Sequence, residues 1–286
     1  MKITILAYYF HPDQNIAAVR PENWATWLSE DHDVTVVTRE CTDASEKAFP
    51  FQVLRPKSYG IRFLEWAKGC RDRLRSSKGT VKNIERKSQI QFGPQKISGA
   101  FHARMPSIHD LWFSACYSAL KTTKPDIVIA SYGPYVSVLA AYFYTMNHPT
   151  AKLWLDYRDF WTANYITIGV PFLQKIEEYL ENRCMHSASI ISSIGEIYSN
   201  QLSQTANKKC YCIYNSPLKK EHKNKQKAVN NKITICYTGT IYSGWRDPSP
   251  LFSLIKNWSK ENIISADTFS LSIASKYPGN IHEILT

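Results

Sequence analysis

Apolar runs of strand length recur along this chain, separated by longer stretches in which apolar residues return every three or four positions. The runs occupy residues 3–10, 34–38, 127–131, 153–156, 190–192 and 211–214. This alternation predicts strands joined by helices, the rhythm of a parallel sheet. The stretch Asp126-Ile-Val-Ile-Ala-Ser131 is apolar at successive positions, as a strand covered by helices on both faces requires. Between the runs, residues 19–30 carry Trp24, Ala25, Trp27 and Leu28 at helical spacing. Residues 171–186 open with proline and set Ile176, Tyr179, Leu180 and Cys184 on one stripe. Both segments predict amphipathic helices.

The expected fold class is therefore α/β, with an N-terminal doubly wound, Rossmann-like parallel sheet over residues 1–216. From 217 to 231 the sequence turns polar, with Lys219, Lys220, Lys223, Lys225 and Lys227 among Asn and Gln, and predicts a solvated linker. The rhythm restarts with a strand ending at Thr238, a glycine-containing loop, a helix opening at Asp247-Pro248 and a strand over 268–273. About fifty residues follow the linker, whereas an autonomous doubly wound domain usually needs roughly 100 or more. Residues 232–286 are thus expected to be the incomplete beginning of a second Rossmann-like domain.

Composition adds two facts. Hydrophobic residues make up 44% of 286, enough for a sizeable core. The net charge of +11 is concentrated locally: residues 57–104 hold twelve basic residues against Glu65, Asp72 and Glu85, a balance of +9. Such charge favours anionic membrane or polyanions. Seven cysteines without a repeating spacing do not form a disulfide framework, and Cys210 and Cys212 alone lack partners for a zinc site. Reduced cytosolic thiols are the expectation. The first apolar run is too short for a secretory signal, and the run 127–146 is broken by Gly133-Pro134, against a membrane span.

In open α/β sheets ligands sit beyond the carboxyl ends of the strands, so the strand-to-helix loops are searched for chemistry. The first, residues 8–20, holds His11, Asn15 and Arg20 and leads through small residues to a helix N-terminus that can face an anion. His11 can equally serve a turn beside Pro12. The second, Ser131-Tyr132-Gly133-Pro134, allows close approach of a backbone or ligand, or is simply a tight turn. The third runs an apolar strand into Asp156, Arg158 and Asp159 with Tyr157, Phe160 and Trp161. Those charges either satisfy one another as a salt bridge or open on the cleft, where a carboxylate can orient a hydroxyl or stabilise positive charge on a sugar ring. Their spacing is not Asp-x-Asp, so no metal is required. The fourth, residues 237–248, places Gly239, Thr240, Gly244 and Arg246 before a helix, parts that suit a diphosphate, although Asp247 as a plain cap would also explain the turn. Neither G-x-G-x-x-G nor G-x-x-x-x-G-K-[ST] occurs, which argues against a dinucleotide-dependent dehydrogenase or a phosphate-loop NTPase.

Taken in order, five segments resemble family-4 glycosyltransferases of the two-Rossmann-domain, GT-B type that build bacterial surface polysaccharides. They are Met1-Lys-Ile-Thr-Ile-Leu-Ala-Tyr-Tyr-Phe-His-Pro12, Lys124-Pro-Asp-Ile-Val-Ile-Ala-Ser131, Asp156-Tyr-Arg-Asp-Phe-Trp161, Ile213-Tyr-Asn-Ser216 and residues 237–249. The likeness is to the N-acetylhexosamine- and fucosamine-transferase branch. It implies retaining transfer of a sugar from a nucleotide-sugar donor to a lipid-linked or polysaccharide acceptor in capsule, O-antigen or exopolysaccharide synthesis, with no cofactor. It also implies donor phosphates at Gly239, Thr240, Gly244 and Arg246, an acceptor near His11, Asn15, Arg20 and Tyr132, and catalytic roles for Asp156, Arg158 and Asp159. Two departures stand out: Ala17 and Ala18 replace a Gly-Gly pair, and the sequence stops before the family's Glu-x7-Glu segment, which holds the donor's hydroxyls. Alternatives are therefore an inactive acceptor- or membrane-binding remnant, a split enzyme with a separate donor-domain chain as partner, or a sugar-nucleotide epimerase of the same architecture.

Within the basic window, Ile61, Phe63, Leu64, Trp66, Ala67 and Leu74 alternate with Arg62, Lys68, Arg71, Arg73 and Arg75. The pattern predicts a basic amphipathic helix in the interface of an anionic membrane, on the inner face of the plasma membrane. A surface helix followed by a basic loop is the other reading. No recognisable nucleic-acid module accompanies the charge, so nucleic acid is not an expected partner.

Overall fold

The structure is a computed structural model that describes residues 1–13, 15–41, 47–58, 60, 97–98, 100–101, 103–164, 166–216, 232–239 and 248–274. The linker at 217–231, the Ser76-to-Lys96 portion of the basic window and its amphipathic stretch with Arg62, Trp66, Lys68, Arg71, Arg73 and Arg75 lie outside those residues, as do Thr240, Gly244 and Arg246. Two compact units are distinguished, one running to Ser216 and one from Lys232 among the described residues.

The first unit centres on seven parallel strands: β1 (Lys2–Leu6), β2 (Asp33–Val37), β3 (Gln52–Leu54), β7 (Ile127–Ser131), β8 (Lys152–Tyr157), β10 (Ile190–Ser193) and β11 (Cys210–Cys212). Their spatial order is β11-β10-β8-β7-β1-β2-β3. The chain runs outward from β1 towards β3, then returns to β7 and runs outward the other way. The order therefore reverses between β1 and β7, and a crevice opens beyond the carboxyl ends there. The helices are α1 (Ile16–Leu28), α2 (Phe113–Thr123), α3 (Val136–Asn147), α4 (Pro171–Ser187) and α5 (Glu196–Ala206).

The period of two along each strand divides the core into two layers. Val128, Ala130, Leu153, Leu155, Tyr157 and Ile191 join one cluster, which includes Leu120 of α2, Val138 and Leu139 of α3 and Cys184 of α4. Ile3, Ile5, Val36 and Ile129 join the other with Trp24 and Ala25 of α1, and Trp154 packs against it. On β8 this parity sends Trp154 and Asp156 to the α1 side. Register then places Asp156 opposite Ser131 of β7 and Ser192 of β10.

Short strands β4 (Ile97–Ser98), β5 (Ala100–Phe101), β6 (Arg104–Ser107) and β9 (Thr167–Ile168) form two small pairs, β4 with β9 and β5 with β6. They frame a buried ion pair. Arg104 donates from Nε and Nη2 to Glu177 at 3.0 Å each, and Glu177 Oε1 also accepts from Trp161 Nε1 and the Met105 amide, both at 3.0 Å. Gly169 makes this possible, since a Cβ there would lie 2.6 Å from Glu177 Oε2. One turn on, Glu181 accepts from the amide and hydroxyl of Thr162.

These contacts turn α4 away from its expected orientation for half of the predicted stripe: Cys184 is buried and Leu180 packs against the core as expected. Its inward residues are Glu177, Glu181, Cys184 and Met185, whereas Ile176 and Tyr179, two members of the predicted apolar stripe, are exposed. The physical reason is Arg104: a buried guanidinium must be matched by a buried carboxylate, and that requirement sets the rotation of the helix.

The second unit holds β12 (Ile233–Thr238), α6 (Ser249–Lys260) and β13 (Phe269–Ala274), the two strands parallel and in register from Ile233–Phe269 to Thr238–Ala274. None of its described residues is fully buried.

Replacing Glu177 by Gln should lower unfolding stability by about 3–5 kcal/mol, because Arg104 is left buried without its countercharge. Glu181→Gln should instead be neutral or stabilising at neutral pH, with wild type the less stable of the two. Burial pushes the Glu181 carboxyl above the ordinary glutamate range, Thr162 opposing, so its charged form already strains the fold. With the folded value above the unfolded one, stability contributed by Glu181 is present below the ordinary glutamate range and lost as pH rises through the raised value. Denaturant melts of wild type and Glu181→Gln should therefore diverge across that window and agree below it.

Candidate functional site

Helix α1 brings the site together. Asn15 caps it, its side chain accepting from the Ala17 amide at 3.0 Å. One turn later Arg20 enters the protein at 4% exposure and meets Asp156 at 1%. The pair is bidentate, with Nε to Oδ2 and Nη2 to Oδ1 both at 2.8 Å. Ser192 Oγ donates to Asp156 Oδ1 at 2.8 Å and receives the indole N–H of Trp154 at 2.8 Å. The third guanidinium nitrogen, Nη1, reaches the Ile213 carbonyl at 2.7 Å and Asn215 Oδ1 at 3.2 Å. Trp24 lies under the guanidinium at 4.5 Å and packs on Trp154 at 4.9 Å.

This geometry accounts for both oxygens of Asp156. Its carboxylate is engaged by Arg20 and Ser192 rather than opening on the cleft, and Arg20 is bound to protein groups at all three nitrogens. The salt bridge foreseen in this cluster exists, but its cation is Arg20 and not the neighbouring Arg158.

Arg158 does different work. It donates from Nε and Nη2 to the Tyr132 carbonyl at 2.9 and 2.7 Å, and from Nη2 to the Gly133 carbonyl at 3.0 Å. Burial lowers its pKa, with Asp156 and Asp159 opposing. Gly133, at φ +100°, clears the way: a Cβ there would stand 2.7 Å from Arg158 Nη2. Tyr132 contributes its carbonyl, while its ring is buried and stacks on Tyr157 at 5.5 Å. Burial raises the Tyr132 phenol well above its usual value. His11 also turns inward, its ring edge-on to Phe49 at 5.7 Å and its carbonyl held by Arg55.

Beside the ion pair lies a cavity of about 190 Å³ lined by α1, the loop after β8 and residues 214–216. From the expected set it gathers Arg20, Arg158 and Asp159, and leaves out His11, Asn15, Tyr132 and Asp156. Asp159 is exposed and Arg158 half-buried, so the cavity has one solvated carboxylate beside a partly covered guanidinium. Trp27 and Tyr214 supply aromatic surface and Ile16 and Val19 aliphatic surface. Asn23 was not foreseen. It is buried, gives its amide N–H to the Ser216 carbonyl, and keeps Oδ1 without a partner among the described residues. The signal was available in Ile213-Tyr-Asn-Ser216, the segment that α1 grips through both Arg20 and Asn23. No group of three potential metal ligands occurs among the described residues. In the second unit Gly239 follows β12 at φ +147°, its amide bonded to the Ala274 carbonyl at 3.0 Å.

No protein-family model matches the chain, and no curated protein matches it in sequence. Solved structures do. The catalytic domain of starch synthase IV from Arabidopsis thaliana, bound to ADP and acarbose, aligns with a TM-score of 0.56 at 11% identity, over 99% of this chain and 70% of that one. The fold is of the GT-B type. Sucrose-phosphate synthase from Thermosynechococcus elongatus aligns at 8% identity with a TM-score of 0.48, over 96% and 70%. A Listeria monocytogenes protein described as a UDP-N-acetylglucosamine 2-epimerase aligns at 13% and 0.47, and the chain spans 65% of its length. At these identities it is the GT-B fold that is shared. Within that fold the cavity sits in the N-terminal unit, at the carboxyl ends of β8, β10 and β11.

Substituting Gly133 by Ala should expel Arg158 from the Tyr132 and Gly133 carbonyls and cost about 1–3 kcal/mol, since the backbone there is also left-handed. Ser131→Ala, which removes a buried hydroxyl without a partner among the described residues, should be neutral or stabilising. Thermal unfolding of the two variants checks the contrast.

Proposed function

We propose that this chain acts as a glycosyltransferase whose first unit binds the acceptor, moving a sugar from a nucleotide-sugar donor to a lipid-linked or polysaccharide acceptor with retention of configuration and without a metal. The observation that carries the reading is the cavity at the carboxyl ends of β8, β10 and β11, where exposed Asp159 stands beside half-buried Arg158 between aromatic walls. Its volume of about 190 Å³ suits a single sugar ring, with apolar faces for the ring and a few polar groups for its hydroxyls.

In this reading the acceptor sugar lies against Trp27 and Tyr214. Asp159 accepts a hydrogen bond from the attacking hydroxyl and orients it. Arg158 holds positive charge near the oxygen that leaves or enters. Asp156 and Arg20 keep this wall in place without touching substrate. Donor phosphates fall to Gly239 with Thr240, Gly244 and Arg246, as the family resemblance implies. N-acetylhexosaminyl transfer in surface-polysaccharide synthesis is the finer form of the same proposal.

Transfer of radiolabelled sugar from a panel of sugar nucleotides to membrane-borne glycans tests it. Asp159→Asn should lower transfer by about 10²–10⁴-fold, the range for a positioned acid–base group, with the melting temperature unchanged because Asp159 is exposed. Full transfer by Asp159→Asn, or no transfer from any sugar nucleotide with or without an added donor-domain chain, contradicts the proposal.

A further inference from the structure

Beyond the carboxyl ends of β1, β2 and β3, next to the point where the strand order reverses, lies a second polar cluster. The loop after β1 supplies Tyr9, His11 and Asp13, while Arg39 follows β2 and Arg55 follows β3. All five are half-buried. Asp13 is committed to Arg39, which donates to it from Nε at 3.3 Å and from Nη2 at 2.5 Å. Arg55 is fixed differently. Its Nη1 reaches the Arg39 carbonyl at 3.4 Å and its Nη2 the His11 carbonyl, and no carboxylate pairs with it among the described residues.

A guanidinium held by two carbonyls keeps its full charge while water is partly removed from it. Burial accordingly lowers the Arg55 pKa, with Cys41 and Asp13 opposing and Arg39 adding to the effect. Arg39 Nη1 and Arg55 Nε have no hydrogen-bond partner among the described residues. Tyr9 lies within electrostatic reach of two guanidinium groups: burial raises its phenol, Arg39 opposes, Asp13 adds and Arg158 opposes. Its ring is edge-on to Tyr8 at 5.1 Å, and Arg39 lies over the Tyr8 ring at 5.9 Å. Arg158 also lines the sugar-sized cavity, so the cluster and the cavity are neighbours. Two forked guanidinium groups with unused N–H groups, one of them lacking a countercharge, match the oxygens of a phosphoryl group. The cationic excess, with Arg158 in reach, favours a doubly charged phosphate over a single carboxylate.

We infer that Arg39 and Arg55, with the hydroxyl of Tyr9, bind the phosphoryl group of a phosphate or diphosphate ester at the carboxyl ends of β1, β2 and β3. None of these residues belongs to the loop at 237–248. The site itself stands on this geometry. Which ester fills it rests on the sugar-transfer reading, in which the phosphate belongs either to the linker of a lipid-borne acceptor or to the nucleotide-sugar donor.

Isothermal titration of the full chain with pyrophosphate tests it. Wild type should bind, and Arg55→Gln and Arg39→Gln should each weaken binding on the order of tenfold or more, the loss of a charge-assisted hydrogen bond. Arg55→Lys should lose less, since it keeps the charge and gives up only the fork. Lys152→Gln removes an exposed charge at the amino end of β8 and should bind like wild type. Asp159→Asn should also bind like wild type, which separates this site from the test of sugar transfer. Competition then names the source. Displacement of pyrophosphate by farnesyl diphosphate and not by UDP assigns the site to the acceptor, displacement by UDP assigns it to the donor, and displacement by neither overturns the inference. Failure of wild type to bind pyrophosphate overturns it as well, as does equal binding by wild type and Arg55→Gln, or a loss in Lys152→Gln as large as that in Arg55→Gln.

Discussion

The buried pair between Arg20 and Asp156 is the contact on which the candidate site depends. A carboxylate at 1% exposure survives only when its charge is met and its oxygens are bonded, and here Arg20 and Ser192 do both. The same guanidinium then reaches the Ile213 carbonyl and Asn215. One side chain thus joins the first helix, the end of β8 and the segment after β11, three parts of the chain with no local reason to meet. The wall they make leaves Asp159 as the exposed carboxylate of the cavity.

Much of this was legible in the sequence, and the failures share a cause. The runs predicted as strands at 34–38, 127–131, 153–156 and 190–192 coincide with strands to within a residue or so, because a sheet covered on both faces demands unbroken apolar segments. The short edge strand β3 and the helix α5 carried weaker patterns and were not foreseen. Asp156-Tyr-Arg-Asp159 stood out as a charged cluster at a strand's end, which is where it lies. Its internal pairing was not readable. Asp156 is bound to a residue 136 positions away, and adjacent spacing made Arg158 the obvious but wrong partner.

Helix α4 failed in the same way. A stripe of Ile176, Tyr179, Leu180 and Cys184 reads as a core face, yet Arg104, 73 positions upstream, draws Glu177 inward. Periodicity assumes that the inside is apolar. Where a buried cation has to be matched, that assumption reverses, and apolar residues are displaced outward. In both places a long-range ion pair overrides local pattern: at α1 it orders the sugar-sized cavity, and at α4 it turns an apolar stripe towards solvent.

A double-mutant cycle between Arg20 and Asp156 reaches this point most directly, with Arg20→Met, Asp156→Leu and the double variant compared by denaturant unfolding. Each single variant strands a buried charge, and the double variant strands none. The predicted result is a double variant more stable than the sum of the singles implies, with a coupling on the order of 2–3 kcal/mol. Additivity of the two substitutions within about 0.5 kcal/mol would contradict the pair as the organising contact.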